Sequence, residues 1–483
     1  MRSALKRLLT TAFLARVVAL VAMELAVTGV ALAGPMGLPD RGTIAYLTDV
    51  EGDWNQVESF LQDNPFVYRD EKGQTQLREG ATFVFGGDTL DKGDDDLRIT
   101  RWLVDLKKRY PDRVVLLAGN RDTLKIAIPR LIDPVYVGST PHLKKDWEAW
   151  LSARESSGGA IDSPEERLRW ALTRRLGAPR AFEFRRAELA RDRGTGPSAI
   201  PDTEVLRSYL DELAPGGSLR FYLENSQLAY LRGNTLFVHG AVTSENAGLI
   251  PPDAARPEPE RTGSAKHWVR RLNEWHREHI DLWTRSGAYP RPYIEYHAKK
   301  PQSDDHPASV VYGRYSDEDG NPRLPPRDVI DWLKSRGIRR VVVGHTPAGE
   351  VPAVVREKGF EVIIADTSGA PHGSQLFVSP ERAVLRSRVP PPQAGAGTRA
   401  HIPIESRWRL DDDSWLGRPV PGTQFLVKAR TADGRWVLSH VSGEDFDVHE
   451  TLVTDEEIRE RIARHKAARD AACPGLYRKL SGP

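Results

Sequence analysis

The chain has 483 residues, 39% of them hydrophobic and 28% charged, with a formal net charge of only +2. That length exceeds one ordinary core, and the near balance of charge excludes a global field suited to nucleic acid or an anionic membrane surface. The single cysteine, Cys473, excludes an internal disulfide framework and any cysteine-based zinc site, so a bound metal must be held by His, Asp, Glu and Asn.

In chain order, residues 1–36 come first. Arg2, Lys6 and Arg7 precede an apolar run from 8 to 33 that closes in Ala31-Leu32-Ala33 before Gly34-Pro35, the order of a secretory signal. Arg16 and Glu24 interrupt the run, and each is costly inside a membrane-crossing helix. The expectation is export to the periplasm or beyond, with cleavage near Ala33 or retention as a membrane anchor. A cytoplasmic protein with an amphipathic extension is the alternative. No later segment is apolar for long enough to span a bilayer.

From residue 43 onward, short apolar runs alternate with polar loops. Strands are predicted over 43–48, 82–85, 114–117, 235–238, 340–343 and 362–365, each apolar on both faces as doubly covered strands should be. Helices are predicted over 99–109 and 327–336, which makes an α/β chain with stacked sheets. Residues 130–232 read as a helical insertion. Its arginines, among them Arg167, Arg169, Arg185 and Arg191, are interspersed with glutamates and suggest a solvated face. Residues 390–400 read as a linker, 401–483 as a small β-rich module with a charged terminal helix.

Acids, amides and histidines fall at the C-terminal ends of these strands, where α/β sheets place ligand-binding loops. Asp49 and Glu51 follow the first strand, and Asp88, Asp91 and Lys92 the second in Gly-Gly-Asp-Thr-Leu-Asp-Lys-Gly. Asn120, Arg121 and Asp122 follow the third, His239 the fourth in Val-His-Gly, and His345 the fifth in Gly-His-Thr-Pro.

This ordered series resembles the calcineurin-like metallophosphoesterase superfamily, nearest its serine/threonine protein phosphatase-like branch, from about residue 43 to 366. The resemblance implies a metallophosphoesterase β-sandwich flanked by helices (αββα), spanning 37–389 with the insertion inside it. It implies two divalent metal ions, manganese first, with iron, zinc or magnesium as alternatives. Asp49, Glu51 and Asp88 would hold one ion. Asp88, bridging, with Asn120, His239 and His345 would hold the other. It implies a dinuclear phosphohydrolase, with a hydroxide shared by the metals attacking a phosphate ester in line. The partner is then a phosphorylated substrate (protein, nucleotide or lipid-linked), with no nucleic acid and possible membrane attachment through the leader. Asp91, Arg121 and Asp122 fall at catalytic positions of the family, and Lys92 and Arg121 at phosphate-binding ones. Arg314, in Val-Tyr-Gly-Arg just upstream, is a further phosphate candidate.

Two departures matter. Glu51 stands where the family has a metal-binding histidine, and an added carboxylate favours harder ions such as manganese or magnesium. Arg121 stands where the family has a general-acid histidine. Arginine keeps its proton at any working pH, but its fork can hold a phosphate oxygen. The same Gly-Asn-Arg-Asp variant is similar to that of bacterial enzymes cleaving the pyrophosphate of a lipid A precursor, whose leaving group needs little protonation. Phosphoanhydride hydrolysis is therefore an alternative, and a non-catalytic phosphate-binding protein a further one. Asp91 is expected to pair with Arg121 or Lys92. Asp366, after the sixth strand, reads as closing a turn. His276 and His279, at helical spacing without a third ligand nearby, read as a polar helix face.

Overall fold

A computed structural model describes residues 42–472 apart from 156–161, 254, 301–302, 304, 371, 390–400 and 444–446. The leader and the linker expected at 390–400 lie outside the described residues. All six predicted strands form: β1 (Ile44–Leu47), β2 (Thr82–Phe85), β3 (Val114–Leu117), β4 (Thr235–Val238), β5 (Arg340–Val343) and β6 (Phe360–Ile364). Every residue in them is buried, the outcome expected of runs rich in β-branched and aromatic side chains with no polar face to turn to water.

β1, β2 and β3 pair in parallel and continue to a short strand at Ser226–Gln227. On the other side of β1, three antiparallel strands extend the same sheet to seven: β7 (Gln375–Val378), β8 (Arg382–Val389) and β9 (Ile402–Arg409). The second sheet has five strands. β4, β5 and β6 run parallel at its centre, with Ala229–Arg232 and Ala353–Glu357 antiparallel at its edges.

The two sheets share one apolar cluster. Tyr46, Val84 and Leu117 of the first meet Phe237, Val342 and Ile363 of the second, and the rings of Tyr46 and Phe237 stack at 5.6 Å. Alternate residues, such as Phe83 and Phe85, point away from that interface, as the two-residue period of a strand requires. Helices cover the outer faces: α1 (Asp96–Arg109) packs against β3, and the long helix Ala265–Ser286 against Ala229–Arg232. This is the αββα sandwich with stacked sheets that the sequence implies.

The segment read as an insertion is helical up to Ser218–Glu224, and its last residues are strands of the two core sheets. Not all of its arginines form a solvated face: Arg167 and Arg185 are buried, and the Arg169 guanidinium lies 3.6 Å over the Phe182 ring. Beyond residue 400 the chain is β-rich, as expected, but its first strand, β9, belongs to the seven-stranded sheet. A three-stranded sheet follows, formed by β10 (Leu426–Arg430), β11 (Trp436–Ser442) and β12 (Asp447–Val453), and it contributes Val427 and Leu438 to the shared core. A fully buried ion pair, Arg340 with Glu361, ties β5 to β6, and Trp408 Nε1 of β9 donates to the same glutamate at 2.9 Å. Among the described residues no helix is long and apolar enough to cross a membrane.

Candidate metal centre

Parallel strands all deliver their C-terminal ends to one edge of the sandwich, and the chain turns sharply there. Asp49, Glu51, Asp88, Asp91 and His345 adopt positive φ angles of 50°, 46°, 58°, 103° and 62°. Among the described non-glycine residues only Asp63 joins them. Such backbone is unfavourable for residues with a Cβ and persists where surrounding structure enforces it, commonly at functional sites. Gly119 shows how tight the edge is, since a Cβ there would lie 2.2 Å from Asp88 Oδ1.

The side chains converge in two groups, Asp49 with Glu51 and Asp88, and Asp88 with His239 and His345. In each, one donor atom per residue lies within 4.8 Å of the others, every member is buried, and Asp88 is common to both. His239 Nδ1 donates to Gly86 O at 2.8 Å, which leaves Nε2 turned toward Asn120 Oδ1 at 3.2 Å and Asp88 Oδ1 at 3.4 Å. A backbone carbonyl fixing one ring nitrogen while the other faces oxygen donors is a usual arrangement around metal-ligating histidines. Nε2 of His345 is buried without a hydrogen-bond partner among the described residues. Asp49 Oδ1 accepts from His345 N at 3.0 Å and Oδ2 from Thr48 Oγ1 at 2.5 Å, which join the first and fifth strand ends.

The electrostatics are those of crowded buried acids. Burial, then the charge of Asp366, pushes the Asp49 carboxyl well above its usual range. Burial also acts on Asp88, but His239 and Arg121 outweigh it and hold that carboxyl down to about 2. For His239 burial disfavours the cation, yet Asp88 and Asp49 raise the imidazolium to about 10. His345 goes the other way, because burial and then Arg314 keep it neutral. Buried carboxylates this close call for positive charge between them, and an oxygen-rich set with imidazoles fits divalent cations of the manganese, iron, zinc or magnesium kind.

Cations surround the same edge. Arg121 Nε donates to Glu51 Oε1 at 2.7 Å and Nη1 to Asp91 Oδ2 at 3.3 Å. Lys92 Nζ lies 2.6 Å from Glu51 Oε2, so of the two partners expected for Asp91 it is Arg121 that pairs with it, joined by Lys125. Glu51 thus faces both a candidate donor group and two cations. Arg314 Nη1 donates to His345 O at 3.0 Å, which places it beside the fifth strand end. Asp122 has a different place from Asp91 and Arg121. Its Oδ2 accepts from the backbone N–H of Asp88 and Gly119, and its Oδ1 from that of Thr89. The Thr89 hydroxyl adds a fourth bond, so this carboxylate positions two loops and has no lone pair directed at the centre.

Two residues bear on the centre without a signal strong enough to single them out. Lys125, one turn after Arg121, reaches Asp91 at 2.7 Å. Asp366 closes the expected turn, accepting from Ser368 N at 2.8 Å, and its charge also acts on Asp49, Glu51 and Lys92. Its position at the end of a sixth strand is the signal that could have found it. His276 and His279 correct an expectation. Both are buried among Trp275 and Tyr293, with His276 Nδ1 2.8 Å from the Tyr293 hydroxyl, so their helix face turns inward.

The three-stranded sheet holds this edge from behind. Lys428 of β10 is fully buried and donates to Ala348 O, three residues past His345, and to Glu450 of β12. Gly349 follows with φ 85°, and a Cβ there would lie 2.8 Å from Val448 Cγ1. Asn321 Oδ1, on the loop after Arg314, accepts from Val441 N at 2.8 Å.

Comparison with known proteins gives three results. The sequence model for calcineurin-like phosphoesterases matches residues 42–349. No curated protein matches the sequence. Solved structures similar to this chain include a cold-active protein-tyrosine phosphatase of a psychrophilic Shewanella species, 15% identical, covering 72% of this chain and 80% of its own, at a TM-score of 0.40. A protein serine/threonine phosphatase from Saccharomyces cerevisiae is 13% identical, covering 71% and 74%, at 0.33. A metallophosphoesterase from Sphaerobacter thermophilus is 13% identical, covering 69% and 82%, at 0.26.

Proposed function

The chain belongs to the calcineurin-like phosphoesterase family and is a hydrolase of phosphoester bonds, and from that premise we propose that it is a dinuclear phosphohydrolase acting on phosphate esters with good leaving groups. The observation that carries the reading is Asp88, shared by two buried donor groups on one edge of the sandwich. Asp49, Glu51 and Asp88 would hold one divalent ion, and Asp88, Asn120, His239 and His345 the other. Manganese suits the pair best, since Glu51 adds an anionic oxygen where a neutral imidazole would favour softer ions. When bound, such ions acidify water at neutral pH and neutralise phosphoryl oxygens during in-line displacement.

The chain's own residues do the rest. Arg121, Lys92 and Arg314 bind and orient the phosphate, with Arg121 held against Glu51 and Asp91. Burial opposes the Arg121 charge, but Glu51, Asp91 and Asp88 raise its pKa beyond the ordinary value, so it delivers no proton to a leaving group. Aryl oxides and phosphates leave without one, whereas alkoxides do not. Hydrolysis of a phosphoanhydride is the second reading, and Arg121 is the observation that favours it.

The test is hydrolysis of p-nitrophenyl phosphate by metal-stripped protein re-supplied with manganese, beside Asp88→Asn. Manganese-dependent turnover that falls about a thousandfold in the variant supports the proposal. Turnover unaffected by the substitution rules it out.

A further inference from the structure

Resting on the phosphohydrolase reading, we propose that Lys125 is a positioning residue for the substrate phosphate: it anchors Asp91, and Asp91 fixes the Arg121 guanidinium at the metal centre. Lys125 is only 1% exposed, and its ammonium donates to Asp91 Oδ2 at 2.7 Å and to Arg121 O at 3.0 Å. A lysine this deep is unusual unless a charged partner holds it there. The partner is shared, because Arg121 Nη1 meets the same Oδ2 at 3.3 Å. Arg121 and Lys125 stand four residues apart at the start and just past the end of one short helix, Asn120–Leu124, where like charges on one face repel. The Asp91 carboxylate between them turns that repulsion into a bridge.

The consequence concerns where Arg121 points. Its guanidinium is drawn one way by Asp91 and the other by Glu51 Oε1 at 2.7 Å. Lys125 takes up part of the Asp91 charge, so the guanidinium stays on the Glu51 side, toward the candidate donor groups. Lys92, Arg121 and Lys125 face three carboxylates, those of Glu51, Asp91 and Asp88, and Asp91 is the one that Lys125 reaches. The Asp91 backbone is held independently, since its N–H donates to Asp96 Oδ1 at 3.0 Å, and Asp96 pairs with buried Arg185. Lys125 therefore acts on the Asp91 side chain and not on the course of the loop.

The experiment compares wild type, Lys125→Met, Lys125→Arg and Arg121→Met, all manganese-loaded. Inorganic phosphate affinity is measured by calorimetry, together with KM and kcat for p-nitrophenyl phosphate, manganese per chain and the melting temperature. Lys125→Met is expected to raise phosphate Kd and KM together by about tenfold, with kcat within about twofold and bound manganese unchanged. Lys125→Arg restores most of the affinity. A folded Lys125→Met that binds phosphate as wild type does overturns the proposal, as does a loss that follows lost manganese. If Lys125→Met does not fold, the paired variant Asp91→Asn with Lys125→Met removes both charges. It should bind phosphate as weakly as Lys125→Met would, and wild-type affinity in it overturns the proposal equally. A wild type that binds phosphate but hydrolyses nothing would sink the hydrolase reading alone, since the phosphate measurement decides on Lys125 without turnover.

Discussion

Arg121 Nε lies 2.7 Å from Glu51 Oε1, so a permanently charged guanidinium is bound to a carboxylate that belongs to one of the candidate donor groups. General acids contribute roughly 10²–10⁴ in rate when the leaving group needs a proton. With arginine in that position, an alkyl phosphate should be hydrolysed slower than an aryl phosphate by about that factor. A series of substituted phenyl phosphates should show rates falling steeply as leaving-group pKa rises. Equal rates on aryl and alkyl phosphates would remove the role given to Arg121.

Asp49, Glu51 and Asp88 are buried side by side, and metal removal leaves their charges to repel one another. Chelation should lower the melting temperature, and manganese at a hundred times its Kd should restore about 2.7 kcal/mol. In Asp88→Asn most of that response disappears. A melting temperature indifferent to chelator and metal would mean that the acids balance one another without an ion.

Beneath the centre, Glu188 of the insertion accepts from the N–H groups of Leu97 and Arg98 at the start of α1. Burial raises its carboxyl to about 7, against the pull of Arg185, and the same burial raises Asp96 to about 6. The folded state therefore binds these protons more tightly than the unfolded chain. Their stabilising contribution is complete below the ordinary carboxylate range and is lost as pH rises from about 4.5 to about 7, on the order of 3 kcal/mol for Glu188. Urea midpoints should fall between pH 5 and pH 8, and less so in Glu188→Gln. Identical slopes in the two proteins would rule out Glu188 as the cause.

The six core strands are legible because each is a short apolar run bounded by glycine, aspartate or asparagine, and burial on both faces leaves no other use for such a run. The candidate donors are legible for a related reason: a parallel sheet sends successive strand ends to one edge, so residues distant in sequence must meet there. Other features have no such local mark. Lys125 looks like any helical lysine until Asp91, supplied by another loop, is seen to hold it. His276 and His279 share a helix face, but spacing does not say which way that face turns, and Tyr293 from the next helix decides it. β9 reads as the start of a module, and only its pairing with β8 shows that it completes a sheet begun at residue 44.

Arg340 and Glu361 form an ion pair with no exposure on either side chain. Removing one member of such a pair leaves the other buried and uncompensated, a loss of about 3–5 kcal/mol. Glu361→Ala should therefore show a sharply lowered denaturant midpoint, and because Trp408 Nε1 donates to the same carboxylate, altered indole fluorescence as well. A midpoint within about 0.5 kcal/mol of wild type would show that the core rearranges around the arginine.

The grip of Lys428, itself paired with Glu450, on the Ala348 carbonyl gives the candidate metal centre a place in time. A ribosome releases every candidate donor, from Asp49 to His345, well before β10 and β12 emerge. Until then the Ala348 carbonyl has no ammonium to meet, and the turn carrying His345 is held by Asp49 and Arg314 without the clasp from β10. The candidate donors thus gain this clasp only after β10 and β12 have followed them, and a nascent chain stalled at residue 400 would hold Asp49 to His345 in order without it.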